Sequence, residues 1–409
     1  MVSKWSTLKE IQKNTSDWKV VKLNDFSIKA KNSFVNGPFG SDLLSSELTN
    51  EGRPVVYIRD IQNGSYKNKS NICITEEKFE SLPSCQVGFG DVIISKVGAP
   101  PCEAAIYDSQ VSGIVTQDVI RIRCEELPQS IFLKYLLNSD IGKRQVQQIK
   151  ISGTRERVSL TDFKKIRLPQ PAINEQQKIA KILSTWDKAI STTERLIENN
   201  TQQKKALMQQ LLIGKKRLLD ESGKPFDKKW ERIELGKLLD YKQPTPYLVK
   251  STDYSDEYPT PVLTAGKTFI LGYTDEEFGI FSEDLPTIIF DDFTTASKFV
   301  DFPFKAKSSA MKMLVAKDGV SIKYIFEVMQ ALSYAIGGHQ RHWISIFANI
   351  VIGLPCREEQ QKITAVSNNA DKEIELLEQQ LADLQQEKKA LMQVLLTGKK
   401  RVVVDGEVA

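Results

Sequence analysis

Two stretches of the chain alternate apolar and polar positions in steps of four and three over about forty residues each. In the first, Ile179, Leu183, Trp186, Ile190, Thr193, Ile197, Asn200, Lys204, Leu207 and Leu211 fall on one ladder. In the second, Ile363, Ser367, Ala370, Ile374, Leu377, Leu381, Leu384, Lys388, Leu391 and Leu395 repeat it. A sustained period of 3.5, with Glu, Gln and Lys at the flanking positions, predicts two long helices that pair as a coiled coil. Each opens after a proline (Pro171, Pro355) with an acidic first turn and stops at a glycine followed by basic residues (Gly214, Gly398), as capping and the helix dipole favour. Such helices would be rods of roughly 60 Å, spacers rather than core elements. Asn200, Lys204 and Lys388 interrupt the apolar seam and are read as register-setting positions or as contacts for a partner chain.

Outside the rods the period changes to that of strands. Short β-branched runs such as Pro54-Val55-Val56-Tyr57-Ile58, Asp91-Val92-Ile93-Ile94-Ser95, Val119-Ile120-Arg121-Ile122 and Thr287-Ile288-Ile289-Phe290 are separated by turn residues. Each such region ends in a helical stretch, around Phe132–Leu137 or Ile322–Met329. The fold class is therefore α+β, a small mixed α/β domain used twice.

The reuse is written in the sequence. Residues 175–217 and 359–401 align without a gap at an offset of 184, and 22 of 43 positions are identical. Weaker matches lie upstream: Trp18 with Trp230, Lys134-Tyr135-Leu136 with Lys323-Tyr324-Ile325, and Leu168-Pro169 with Leu354-Pro355. The drifting offsets between them fit loops inserted between retained elements. The segments expected are an N-terminal piece (1–17), a first variable domain (18–170), a central helix (171–217), a linker (218–229), a second variable domain (230–355), a C-terminal helix (356–402) and a tail (403–409). Because the linker is short, the second rod must run back along the first. That gives an antiparallel pair with a domain at each end and approximate two-fold symmetry; the alternative is that each rod packs on its own domain.

Composition narrows this picture only a little. At 409 residues the chain suits two domains and an extended part. A net charge of +4 is compatible with nucleic acid without requiring it. The five cysteines have no paired short spacing and the start has no apolar signal core, so a soluble protein of the reducing cytoplasm is expected.

Catalytic chemistry is not evident. The two histidines, His339 and His342, have no Cys or carboxylate cluster near them in sequence, and no phosphate-binding glycine loop stands out. Asn36-Gly37-Pro38-Phe39 is like the tetrapeptide with which adenine methyltransferases grip their target amino group, but its second position is glycine and it reads as a loop. Gly88-Phe89-Gly90 reads as a turn.

Binding chemistry is better represented, in polar loops that recur at equivalent places. Thr154, Arg155 and Arg157 lie in Ser152–Arg157, and Gln340, Arg341 and His342 answer them in the second domain. Arginine offers a bidentate fork to guanine or phosphate, and glutamine can pair with adenine. Lys96 at a strand exit, with Thr294, Thr295, Lys298, Lys307 and Ser308 in the second domain, suits phosphate contacts. The neighbouring Asp291 and Asp292 argue against phosphate and could accept from cytosine amino groups.

Two variable domains alternating with two near-identical helical segments, each introduced by Leu-Pro and Glu-Gln-Gln-Lys-Ile and closed by Lys-Lys-Ala-Leu-Met-Gln and Gly-Lys-Lys-Arg, resemble the specificity subunit of a type I restriction-modification enzyme. The resemblance covers essentially the whole chain and implies a non-catalytic DNA reader. Each target recognition domain would read one half of a bipartite, asymmetric site in double-stranded DNA, and the helical pair would set the spacer. The implied partners are two modification subunits, which bring S-adenosylmethionine, with restriction subunits bringing ATP and Mg as further ones. No cofactor on this chain, no metal and no membrane are expected. The competing readings are a coiled-coil scaffold that binds no DNA and a self-sufficient methyltransferase.

Overall fold

The β-branched runs form strands and the heptad stretches form helices in a computed structural model of the chain. It describes residues 8, 11, 13, 15–38, 40–98, 101–153, 156–266, 268–332, 342–404 and 407–408. Two units result, Met1–Thr193 with Gln380–Ala409 and Glu194–Gln379. The long helices, Ile173–Leu212 and Arg357–Leu395, give one half each to each unit.

In unit 1 the strand Lys19–Lys22 pairs antiparallel with Arg167–Gln170, closing the domain at its entry and exit. A four-stranded antiparallel sheet runs in the order Ala104–Ile106, Val92–Ser95, Val119–Ile122, Phe34–Asn36. A second, five-stranded mixed sheet of shorter strands is built on the parallel pair Arg53–Val56 and Gly113–Val115. Val92–Ser95 and Val119–Ile122 are buried at every position, which explains why they read as continuous rather than alternating apolar runs. The helix Leu127–Asn138 covers the sheet and delivers Phe132, Leu133, Leu136 and Leu137 to the core.

Unit 2 repeats the order of the four-stranded sheet, while its second sheet has three strands and not five. Glu231–Glu234 pairs with Val351–Leu354, and its main sheet runs Ser297–Val300, Thr287–Asp291, Met311–Ala316, Leu239–Lys242. Thr260–Leu263 and Lys305–Ala306 supply the parallel pair, and Ile322–Ala331 is the covering helix. Gly37, in the tetrapeptide read as a loop, lies where an added Cβ would meet the Val115 carbonyl oxygen at 2.0 Å. It is a packing glycine.

Within each unit the two long helices run antiparallel. In unit 1 Asp187 pairs with Lys388, and Ile179 and Leu183 share a core with Leu391 and Leu395. In unit 2 Lys204 pairs with Asp371, Asn200 Nδ2 donates to Glu373 at 3.3 Å, and Leu207 and Leu211 share a core with Ile363. The seam lysines and Asn200 thus meet residues of the opposite helix, as register-setting positions do. Trp186, Ile190, Ile197, Ile374, Leu377, Leu381 and Leu384 complete the half-buried stripe. The expectation that the rods are not core elements is corrected: Ile179, Ala180 and Leu183 belong to the same core as the covering helix of unit 1, and Met208, Leu211 and Ile363 to that of unit 2. An amphipathic rod with few large apolar residues gains most of its stability from such packing.

The helix ends explain the duplicated sequence motifs. Gly214 (φ 70°) and Gly398 (φ 66°) take the left-handed conformation, and the N–H of Lys216 and Lys400 reach back to the carbonyls of Gln210 and Val394 at 3.2 and 3.1 Å. At the starts, the Gln176 and Gln360 amides donate to the carbonyls of Pro171 and Pro355 at 2.8 and 2.9 Å.

Candidate nucleic-acid interface

The duplicated Glu-Gln-Gln-Lys-Ile places a buried glutamate at the base of each unit. Glu175, 2% exposed, accepts from Trp18 Nε1 at 2.9 Å and from the Arg401 guanidinium at 2.8 and 3.0 Å. Glu359, 1% exposed, accepts from Trp230 Nε1 at 2.9 Å and from Arg217 at 2.7 and 2.8 Å. A buried carboxylate is tolerated because a bidentate arginine and an indole N–H occupy its lone pairs. Arg401 also holds Asp17, whose carboxyl it pulls below the usual range through that hydrogen bond. These contacts fix each domain to its helix ends.

A second equivalent cluster ties the covering helices to the rods. In unit 1 Lys134 (3.1 Å), Lys388 and the Tyr135 hydroxyl all converge on Asp187. Burial works against the Asp187 charge, but Lys134, Lys388 and Tyr135 together hold its carboxyl below the ordinary value. Burial lowers the Lys134 ammonium, and Asp187 offsets this only in part. In unit 2 Lys323 and Lys204 converge on Asp371 and on Glu327. The repeated Lys-Tyr pair was the sequence signal for this cluster.

The candidate reading loops fall at the strand exits beyond these anchors. In unit 1 Lys96 is half-buried and its carbonyl accepts from Val158 N at 3.2 Å. Val97 bridges to Arg157, and Gly98 N donates to Glu156 at 3.1 Å. Lys96 and Arg157 are therefore brought together on adjacent backbone segments, with Arg157 exposed. Glu156 pairs with Lys150 at 2.6 Å. Thr154 and Arg155 lie outside the described residues.

In unit 2 Thr294 and Thr295 share the hairpin turn between Thr287–Asp291 and Ser297–Val300. Asp291 accepts from Phe293 N at 2.9 Å and Thr294 Oγ1 at 2.8 Å, and Thr295 takes φ 61°. Lys298, on the following strand, is exposed and sits 5.9 Å above the Phe269 ring. Lys307 donates to the Tyr254 hydroxyl at 3.0 Å, and Ser308 caps its own turn through Ala310 N. Gln340 and Arg341 lie outside the described residues, as does the side chain of His342, whose backbone opens the short helix His342–Ser345.

One reading is corrected here. Asp291 and Asp292 are buried, at 8% and 3% exposed, and serve internal contacts. The first ties the hairpin turn, and the second accepts from Trp343 N at 2.8 Å and pairs with Lys312 at 3.5 Å. Sequence adjacency suggested surface acceptors, but a strand end turning into the core put both to internal use. Among the described residues no group of three His, Cys, Asp or Glu side chains is placed to hold a metal ion, and no helix is long and apolar enough to cross a membrane.

Two units with main sheets of one strand order, sharing duplicated helices and carrying unlike surface loops, define an internally duplicated protein. Residues 15–200 match the model of the type I restriction modification DNA specificity domain. The chain is 50% identical over 143 residues to the Escherichia coli type I restriction enzyme EcoR124I/EcoR124II specificity subunit, covering 34% of this chain and 35% of that one. It is 25% identical over 431 aligned positions to the putative MjaX specificity subunit of Methanocaldococcus jannaschii, covering 96% of each. In fold it is similar to the crystal structure of the type I S subunit from M. genitalium, with a TM-score of 0.60, 16% identity, and 92% of this chain and 96% of that chain covered. Over residues 15–200, and through these relatives, the chain is similar to the type I restriction-modification specificity subunits.

Proposed function

We propose that this chain reads a bipartite, asymmetric site in double-stranded DNA, one half with each unit. Unit 1 would use Lys96 and the Ser152–Arg157 loop, and unit 2 the Thr294–Lys298 hairpin, the Lys307-Ser308 turn and the Gln340–His342 segment. The observation that carries this reading is that equivalent strand exits, on four-stranded sheets of the same order, present different side chains: lysine and arginine in one unit, threonines and lysine in the other. Phosphate contacts orient such heads and base-edge contacts discriminate between sequences. The paired helices would set the unread spacer and dock two modification subunits, which carry S-adenosylmethionine and act on an adenine taken out of the stack. ATP and Mg belong to restriction subunits where these join. The cytoplasm is the compartment in which such a complex meets DNA.

Methylome sequencing of a host expressing this chain with a modification subunit tests the reading. A methylated motif of two short blocks separated by a fixed unread spacer is expected. A single continuous motif, or a pattern unchanged when the chain is deleted, would refute it.

A further inference from the structure

The two lysine clusters differ in charge although they occupy equivalent places. Lys134 and Asn138 stand four apart on the covering helix of unit 1, as Lys323 and Glu327 do in unit 2. In unit 2 two lysines share two carboxylates, Asp371 and Glu327, and the cluster is neutral. In unit 1 Lys134 and Lys388 share Asp187 alone, because the Asn138 amide is uncharged and is consumed by the N–H and carbonyl of Ala104 at 2.9 and 2.7 Å. One positive charge is left over, beside a lysine that is only 9% exposed.

That excess charge faces a cavity of about 640 Å³. Its cationic lining residues are Lys134, Lys388, Lys143 and Arg59, against the carboxylates Asp187 and Glu103. Among the described residues Lys143 and Arg59 have no carboxylate partner, though Arg59 Nε donates to Ser70 Oγ at 2.6 Å and its guanidinium lies over the Tyr57 ring. Glu103 is already engaged by Gly64 N at 2.8 Å. Val97 and Gly98 form part of the wall, and these are the residues whose backbone lies against Glu156 and Arg157. The cavity therefore opens beside the loop assigned to base reading.

We infer that this cavity of unit 1 is a phosphate site, occupied by a backbone phosphate at the edge of the half-site that unit 1 reads. A tetrahedral dianion or phosphodiester is the chemistry that ammonium and guanidinium groups in excess of carboxylates recognise, and the adjoining loop names DNA as its source. The neutral cluster of unit 2 takes none, so the two heads differ in electrostatics as well as in sequence preference. This inference rests on the DNA-reading function proposed above.

The test is the salt dependence of duplex binding by the full chain assembled with modification subunits, using a duplex that carries the methylated motif. Lys388→Gln leaves the Lys134–Asp187 pair intact and removes the excess charge. Lys143→Gln does so at an exposed residue, so a folding defect in the first variant leaves the second to decide. Each should flatten the slope of log K against log salt by about 0.9 and weaken binding several-fold at moderate salt, with base preference unchanged. Lys204→Gln, the unit 2 counterpart, should leave the slope as it is. Slopes equal to wild type for both unit 1 variants would overturn the assignment. Calorimetry with inorganic phosphate on the DNA-free chain separates the sources: saturable binding lost in Lys388→Gln, with an unchanged DNA slope, would make the site one for a free anion and overturn the DNA assignment. If the wild-type assembly does not discriminate the motif duplex from a scrambled one, it is the reading function that fails.

Discussion

Arg401 closes on Glu175 and not on the glutamate of its own repeat. The guanidinium meets the Glu175 carboxylate at 2.8 and 3.0 Å, while Glu359, the repeat equivalent of Glu175, is held by Arg217. Each copy of the repeat thus supplies the acid for one unit and the base for the other, so the duplication is conserved in pairs of contacts and not only in residue types. Both glutamates are buried, both accept a tryptophan N–H, and removing either would cost a half-buried arginine its bidentate partner, although Arg401 would keep Asp17.

The first prediction follows from that geometry. Glu175→Ala should destabilise unit 1 by about 2 kcal/mol, since it leaves the buried Trp18 N–H without its acceptor and Arg401 with Asp17 alone. Glu359→Ala should do the same to unit 2. Hydrogen exchange reports the units separately: protection should fall around Trp18 in the first variant and around Trp230 in the second. Equal loss in both regions from either variant, or a loss below about 1 kcal/mol, would contradict it.

Asp187 gives a prediction in pH. Its folded-state pKa lies below the ordinary value of 3.8, because Lys134, Lys388 and Tyr135 outweigh the penalty of burial. The stabilisation it contributes is therefore complete above that value and is lost as the pH falls through the lower folded-state pKa. Asp187→Asn should be less stable than wild type at neutral pH, and the gap should narrow on acidification below about pH 4. Denaturant midpoints across that range check it. A gap constant with pH would mean that the Asp187 charge contributes nothing.

The sequence made some of this legible and hid the rest for physical reasons. The 3.5-residue period located both rods, because seam positions from Ile179 to Leu211 and Ile363 to Leu395 have to be covered along their whole length. Repeated Lys-Tyr and Trp matches marked residues whose partners lie far off in the chain, and the partners themselves were invisible: nothing local to Glu175 announces Arg401. Asp291 and Asp292 were misread because two adjacent carboxylates look the same whether a turn buries them or displays them. The contrast between Asn138 and Glu327 needed the folded cluster, since neither residue lies within the strong repeat.

Base reading should separate cleanly between the units. Arg157→Ala should lower discrimination at one position of one half-site by roughly tenfold to a hundredfold, the range a lost bidentate contact gives. Arg341→Ala should act in the same way on the other half. Methylation rates on a panel of duplexes with single substitutions distinguish this from a phosphate role. If either variant slows methylation of every duplex equally, that arginine is an orienting contact and not a reader.

The last prediction concerns the rods. Four residues inserted at equivalent points of Ile173–Leu212 and Arg357–Leu395 add about one turn, or roughly 6 Å, to each helix. Placed as a matched pair, the insertions preserve the antiparallel register that Lys388 with Asp187 and Lys204 with Asp371 define within the two units. An insertion in one helix alone would shift those lysines off their carboxylates and should destabilise the assembly. With both insertions the unread spacer of the methylated motif should lengthen by about one to two base pairs, given a rise near 3.4 Å per pair, while both half-sites keep their sequence. Motif sequencing reads both quantities at once. An unchanged spacer in a folded double-insertion variant would mean that the helices do not set the distance between the reading heads.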